Sequence, residues 1–179
     1  MKKTEFAVLQ RSVLGPKLEP LGFKQKAIFG TTEKSWFRPF DGGFEAICLA
    51  VATYQPELSV DPFLLQRHDA IARLVNPHMG FASEKFERLA NTLMAKPADL
   101  GHPELQRVNF ITEADALAML DRCAAFFTTE AEAFLARTRS VDEVVALYRS
   151  RASCTTRMQW PYDAMVGVAA AQVVRAPER

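Results

Sequence analysis

The sequence has few cysteines, almost no net charge and no long run of apolar residues. Three cysteines in 179 residues, an odd number, argue against a disulfide framework and favour a reducing compartment. A net charge of +1 argues against a protein dedicated to nucleic acid or to a membrane surface. The most apolar late stretch, 164–174, is far shorter than the roughly 20 residues that span a bilayer. The apolar segment after the amino-terminal Met-Lys-Lys stops at Gln10, which leaves no signal-peptide core. We therefore expect a cytoplasmic protein.

The motifs of common catalytic and cofactor sites are also missing. His68, His78 and His102 include no pair at the spacing that puts two metal ligands on one helix face. The Asp-Gly-Gly at 41–43 is not followed by the Lys and Ser/Thr of a phosphate-binding loop, and no serine lies in a Gly-x-Ser-x-Gly elbow. Cys154 has no histidine near it in sequence to act as a base. The sequence predicts no catalytic residues, no cofactor and no metal, and argues against an enzyme.

The length and composition are those of one ordinary globular domain. Hydrophobic residues make up 49% and charged residues 24%, both typical of this class. We predict a single domain over 1–179, with an amino-terminal helix and sheet (1–60), a mixed middle part (61–111) and a helical part (112–176). The structure of 55–104 is left open, because its patterns are ambiguous.

Residues 18–54 contain the clearest strand pattern. Gly22 can take the left-handed conformation that ends a helix, so the first helix is expected to end there. A period of two follows in 23–29 and again, rich in aromatic residues, in 35–40. The Asp-Gly-Gly after it suits a hairpin turn. The stretch 44–54 is apolar on both faces, which predicts a strand in the middle of a sheet.

The order of the remaining elements predicts the fold class. The first helix is expected to kink or break at Pro16, and Pro62 is predicted to end a short strand at 57–60. A further strand is predicted at 105–111, and Thr112 begins the helices of the carboxy-terminal third. Runs of strands followed by runs of helices indicate an α+β fold. We predict an antiparallel sheet of four or five strands packed against an amino-terminal helix and a helical carboxy-terminal half.

Aromatic and basic residues alternate in the first strands, where residues 1–44 carry eight Lys/Arg against four Asp/Glu. Phe37 is predicted to face the core, which puts Trp36 and Arg38 together on the opposite face. Arg38 there can stack on Trp36 or bind a carboxylate of a partner, a ligand or the chain itself. Such a surface also suits stacking of single-stranded nucleic acid, although a sheet with one aromatic face against the helices explains the same pattern. The candidate binding residues are Trp36, Arg38, Lys24, Lys26 and Trp160.

The same region resembles a known family. The order of a helix, LEPLGFKQK, SWFRPF and FEAICLAVATY is similar to a bacterial domain family of unknown function that includes immunity-like proteins. The resemblance covers mainly 14–54. It implies no catalytic residues, and for some members it implies a protein that binds and blocks a partner toxin. The matching positions are Pro16, Leu21, Gly22, Phe23, Lys24, Phe37 and Arg38.

Three classes of function remain open. The first is a non-enzymatic protein-binding domain of the immunity-like kind. The second is a small-molecule-binding or enzymatic domain whose site forms only in three dimensions, and a pocket holding Trp36, Arg38 or His68 would favour it. The third is nucleic-acid binding through the basic aromatic hairpin, against which the net charge argues. The oligomeric state is left open.

Overall fold

An antiparallel sheet lies against a layer of helices in a computed structural model that describes residues 1–27, 34–81, 84–150 and 162–175. These residues confirm the α+β class and include six strands rather than four or five. The strands are β1 (Lys24–Ala27), β2 (Lys34–Phe40), β3 (Gly43–Tyr54), β4 (Glu57–His68), β5 (Leu93–Ala95) and β6 (Val108–Phe110). The helices are α1 (Lys3–Leu18), α2 (Asp69–Val75), α3 (Glu84–Leu89), α4 (Glu113–Thr128), α5 (Glu130–Thr138), α6 (Val141–Ser150) and α7 (Tyr162–Arg175).

Strand β3 is central, as its two apolar faces predict. The order runs β1-β2-β3-β4, every neighbouring pair is antiparallel, and β4 then pairs with two short strands. Strand β5 pairs with Leu64–Gln66 of β4, and β6 pairs with Leu58–Val60 on the earlier part of the same strand. The long β3–β4 hairpin therefore forms the frame to which the other strands attach.

Glycines allow the turn before β1 and the turn between β2 and β3. Gly22 caps the short 3₁₀ turn after α1 with φ 88°, as predicted from its left-handed preference. Gly42 has φ 84° in the two-residue turn between β2 and β3. At Gly43 a Cβ atom would lie 1.8 Å from the carbonyl oxygen of Arg67, so only glycine allows β3 and β4 to approach each other there.

Two prolines do not break the chain where the sequence predicts. Helix α1 continues through Pro16, because Leu14 and Leu18 are both fully buried and tertiary packing outweighs the local penalty. Strand β4 continues through Pro62. Pro62 lies between the segments that pair with β6 and β5, where one edge of β4 has no partner among the described residues and a missing N–H is tolerated.

The main core lies on the face of the sheet that carries Trp36. Trp36, Ile47 and Leu64 are at most 1% exposed and belong to one cluster with side chains of α1, α4 and α5. Burial of each such side chain stabilises the fold by roughly 1.5–3 kcal/mol. Phe37 is half-buried on the opposite face in a smaller cluster. The predicted alternation is therefore right, but the prediction that Phe37 faces the main core is wrong, because the helices cover the Trp36 face.

Candidate functional site

Trp36 and Arg38 share one face of β2, and that face is turned inward. Trp36 is fully buried and Arg38 is 9% exposed. Neither side chain forms the accessible surface that the sequence predicts for them. Arg38 instead pairs with carboxylates of the chain itself, which is one of the alternatives that the sequence leaves open.

All five N–H groups of the Arg38 guanidinium are used inside the protein. Its Nε and Nη2 donate to Oε2 of Glu45 at 2.8 and 2.5 Å. Its Nη1 and Nη2 donate to the two oxygens of Glu132 at 3.0 and 2.9 Å, and Nη1 also donates to the carbonyl oxygen of Leu21 at 2.7 Å. The guanidinium carbon lies 4.2 Å from the centre of the Phe23 ring. An arginine has five donors, so Arg38 has none left for a ligand.

Glu45 is the centre of this network and is completely buried. Arg38, Glu45 and Gln66 are cross-strand neighbours on β2, β3 and β4. The Glu45 carboxylate also accepts from Nε and Nη2 of Arg139 at 2.7 and 3.2 Å and from Nε2 of Gln66 at 3.3 Å. Two guanidinium groups balance two carboxylates, the arrangement that makes buried charge tolerable. We call these residues the Glu45 network: Arg38, Glu45, Gln66, Glu132 and Arg139.

His68 is likewise occupied by the protein itself. The side chain is buried, with Nε2 2.7 Å from the carbonyl oxygen of Thr138 and Nδ1 3.0 Å from the hydroxyl of Thr92. A carbonyl oxygen only accepts, so Nε2 carries the hydrogen and Nδ1 accepts from Thr92. Burial lowers the pKa of His68, which favours this neutral form. Neither nitrogen is available to a substrate in this arrangement.

The two cysteines that the structure describes are buried. Burial raises the pKa of the Cys48 and Cys123 thiols to about 12, and a neutral thiol is a poor nucleophile. Cys154 lies outside the described residues. Across the described ranges, no group of three or more His, Cys, Asp or Glu side chains could hold a metal ion. Of the helices in those ranges, none is long and apolar enough to cross a membrane.

In the basic aromatic hairpin formed by β1 and β2, the lysines are exposed, but two of the aromatic residues predicted for the same surface are not. Lys24 and Lys26 are exposed, and Nζ of Lys26 lies 4.6 Å from the centre of the Phe37 ring. Phe23 and Trp36 are buried, so their rings cannot serve as exposed stacking platforms of the kind that single-stranded nucleic acid needs. Trp160 lies outside the described residues.

An open groove of about 770 Å³ runs between α1 and the sheet. Helix α1 forms one wall, and Gln25 of β1 with Leu49 and Val51 of β3 forms the other. The volume lies within the range of roughly 300–1,000 Å³ that is usual for small-molecule sites. We call it the α1 groove. Its apolar lining is formed by Phe6, Ala7, Val8, Gly15, Pro16, Leu49 and Val51, and its polar lining by Lys3, Thr4, Gln10, Arg11, Ser12, Glu19 and Gln25.

Gln10 is the unusual residue of the groove. It is 5% exposed, and its buried Nε2 has no hydrogen-bond partner in the described part of the chain. The buried indole N–H of Trp36 also lacks a partner there; this ring lies beneath Gly15, 3.5 Å from the position that a Cβ would take. A buried donor without an acceptor costs about 1–3 kcal/mol. Nε2 of Gln10 is not accessible to solvent in this conformation, so an acceptor on a ligand would recover that cost only after the amide had turned toward the groove.

Arg11 lies where the groove joins a second cavity, whereas Lys24 pairs with Phe37 and therefore lies on the face of β1 that is turned away from the groove. Arg11, Glu19 and Gln25 line both the groove and an adjoining cavity of about 340 Å³, to which Lys24 also contributes. Within the ranges that the structure describes, neither Arg11 nor Lys24 forms an ion pair. Of the predicted binding residues that the structure describes, Lys24 lines the adjoining cavity, and Trp36, Arg38 and Lys26 line neither cavity.

The position of Gln10 in the sequence already indicates that it is buried. Gln10 is four residues after Phe6 and four before Leu14, so it lies on the apolar face of the helix. The spacing therefore places an uncharged polar side chain at a buried position of the helix. The facing wall, formed by Leu49 and Val51, became apparent only when the register of the sheet was known.

In comparisons with known proteins, no protein-family model, no curated protein and no solved structure matched this chain.

Proposed function

We propose that this chain is a non-enzymatic binding protein that holds a small, largely apolar molecule in the α1 groove. The observation that carries the proposal is the buried, unpartnered Nε2 of Gln10 in the wall of a groove of about 770 Å³. Ligand sites are typically apolar with a few polar groups that fix orientation, and half of the residues that line this groove are apolar. A binding role rather than an enzymatic one is supported by His68 and Arg38, whose polar atoms are bonded within the protein.

Binding of a neutral apolar fluorophore tests the proposal. N-phenyl-1-naphthylamine is expected to bind at one saturable site with increased fluorescence. Ala7→Trp, which fills the groove from its exposed helical wall, should weaken binding by about tenfold or more, a change of about 1.4 kcal/mol.

Ala125→Trp is the matched control, because Ala125 is an exposed helical alanine on α4 that does not line the groove. It should bind the fluorophore as wild type does. No saturable binding by wild type, or equal binding by Ala7→Trp, would refute the proposal.

A protein partner at the mouth of the groove is the second candidate. Val8 is 69% exposed at the edge of the groove, and the family resemblance includes immunity-like proteins. Purified wild type and Val8→Asp would be titrated with the product of the neighbouring gene. Loss of complex formation by Val8→Asp, with an unchanged circular dichroism spectrum, would favour the protein partner.

A further inference from the structure

The face of the sheet that is turned away from the α1 groove carries apolar side chains of its own. Among the residues that the structure describes, its cluster contains side chains of β2, β3, β4 and β5 and none of a helix. Ala50 on β3 shares this face with Cys48 and is exposed, so the face is open to solvent near its centre. We call it the outer face. Its cluster consists of buried Ala46, Cys48 and Leu65 and of half-buried Phe37, Phe63 and Met94.

The same face carries positive charge at the edge formed by β1. Lys24 pairs directly with Phe37 and therefore points to the outer face, as does Lys26 two residues further along. Nζ of Lys26 lies 4.6 Å from the centre of the Phe37 ring. Both lysines are exposed, and neither forms an ion pair with any described residue. Two cations thus border the apolar surface without a carboxylate.

Carboxylates on the strands of the outer face do not offset these charges. Asp61 already pairs with Nζ of Lys96 at 2.9 Å. Glu57 lies at the turn of the β3–β4 hairpin, at least six residues of β3, or about 20 Å, beyond the level of Lys24 and Lys26. At physiological salt, charges are largely screened beyond about 8 Å. The β1 edge of the face therefore attracts a partner with negative charge.

The shape of the outer face fits a helix better than an extended chain. Strand β3 is hydrogen-bonded to neighbours on both sides over Gly43–Ile47, so it offers an extended segment no backbone partners. A helix bonds its own N–H and C=O groups and needs none. Phe37 and Leu65 lie two strand spacings apart, about 10 Å, which is the diameter of a helix. From Ala46 to Ala52 the face is about 20 Å long, enough for about 13 helical residues.

We infer that the outer face binds an acidic amphipathic helix of a protein partner. Apolar side chains of that helix lie along β3 between Phe37 and Phe63, and its carboxylates face Lys24 and Lys26. Single-stranded nucleic acid fits less well, because the Phe37 ring already packs against Phe44 at 5.0 Å and only two unpaired lysines border the face. One helix buries less than a standard interface, so we expect a micromolar Kd. The inference is independent of the α1 groove, which lies on the other face.

Two synthetic peptides with the same apolar stripe test the inference. Each has 18 residues and a leucine stripe at helical spacing, and the residues that flank the stripe are Glu in one peptide and Lys in the other. Binding of the fluorescently labelled peptides is followed by anisotropy. The Glu peptide is expected to bind wild type with a Kd at least about tenfold lower than the Lys peptide, because like charges next to each other oppose binding. The difference should decrease at high salt.

Variants locate the contact on the outer face. The double variant Lys24→Gln/Lys26→Gln should remove most of the difference between the peptides. Ala50→Glu, which puts a charge on exposed apolar surface, should weaken the Glu peptide by about tenfold or more. The matched controls are Lys17→Gln on α1 and Ala125→Glu on α4, which change exposed positions outside the sheet and should bind as wild type does. Circular dichroism spectra should be the same for all variants.

The other possible occupants of the face give different results. Absence of binding by both peptides, equal binding of the two, or unchanged binding by Ala50→Glu would overturn the inference. Weaker peptide binding by Ala7→Trp would also overturn it, by placing the helix in the α1 groove. Tighter binding of an 18-residue oligothymidylate than of the Glu peptide would replace the protein partner with nucleic acid. A wild-type dimer in sedimentation velocity that Ala50→Glu dissociates would replace it with a second copy of this chain.

Discussion

The Glu45 network and the α1 groove are two polar regions on the same face of one sheet, and they differ in whether their buried donors are paired, although the acceptor Oε1 of Gln66 in the network also has no partner among the described residues. In the network, the Glu45 carboxylate accepts from two arginines and from Gln66. In the groove, the buried amide of Gln10 has no partner among the described residues. A paired buried group serves the fold, whereas an unpaired one beside open space points to a ligand. Charge and aromatic content alone therefore indicate a different region from the one that the unpaired amide indicates.

Removing the central charge of the Glu45 network tests whether that region is structural. Glu45→Gln should lower the free energy of unfolding by about 3 kcal/mol, because it removes the buried charge that pairs with the buried guanidinium of Arg38. The expected loss is at the low end for a buried pair, since Glu132 still pairs with Arg38. Urea unfolding followed by circular dichroism measures the difference.

Glu84→Gln is the matched control for that measurement. It breaks an exposed pair with Arg88 and should change stability by less than about 0.5 kcal/mol. Equal effects of the two substitutions would mean that the network does not stabilise the fold.

Gln10→Leu tests the other side of the comparison. The substitution removes an unpaired buried donor and should raise the free energy of unfolding of the ligand-free protein by about 1–2 kcal/mol. Gln172→Leu, at an exposed position of α7, should have almost no effect, because glutamine and leucine have similar helix propensities. A loss of stability in Gln10→Leu would show that the amide is satisfied in solution, for example by water.

The pH dependence of the free energy of unfolding tests whether burial keeps His68 neutral in the folded protein. Burial lowers the pKa of His68 from its ordinary value of 6.5, so the unfolded chain binds a proton more readily than the folded one. The contribution of His68 to the free energy of unfolding is fully present above about pH 6.5. It is lost as the pH falls from 6.5 through the lower pKa of the folded protein, by at most about 1.4 kcal/mol per pH unit. Urea unfolding at pH 7 and pH 5 should show a smaller loss in His68→Gln than in wild type.

His78→Gln provides the comparison, since His78 is exposed. It should lose as much stability as wild type between the two pH values. If His68→Gln behaved in the same way, the buried imidazole would not be the group responsible.

The sequence predicted the fold class better than the site, for physical reasons. Periodicity and turn residues are local, so the strand at Gly43–Tyr54, the cap at Gly22 and the helix beginning after Thr112 are as predicted. Strand β4 beyond Pro62 was missed, because its continuity depends on two partners far away in sequence.

The candidate site could not be derived in the same way. Alternation along β2 correctly put Trp36 and Arg38 on one face, but it could not show which face the helices cover. The carboxylate of Glu132 reaches Arg38 from 94 residues away. The α1 groove requires the register between α1 and β3, which no local pattern contains. Only the position of Gln10 between Phe6 and Leu14 was visible in the sequence.

Gly15→Ala is expected to change the free energy of unfolding least, and it tests how closely α1 lies over the sheet beside the groove. A Cβ at Gly15 would lie 3.5 Å from Cη2 of Trp36 and 3.7 Å from Oε1 of Glu19, which are ordinary contacts. Because glycine weakens a helix interior relative to alanine, Gly15→Ala should stabilise the protein by about 0.5–1 kcal/mol. Gly22→Ala should have the opposite sign, because Gly22 has φ 88° and a Cβ there meets Cδ of Arg38 at 3.4 Å. Thermal unfolding of both variants measures the contrast. A loss of stability in Gly15→Ala would mean that α1 lies closer to Trp36 than these distances state, and that the groove beside it is narrower.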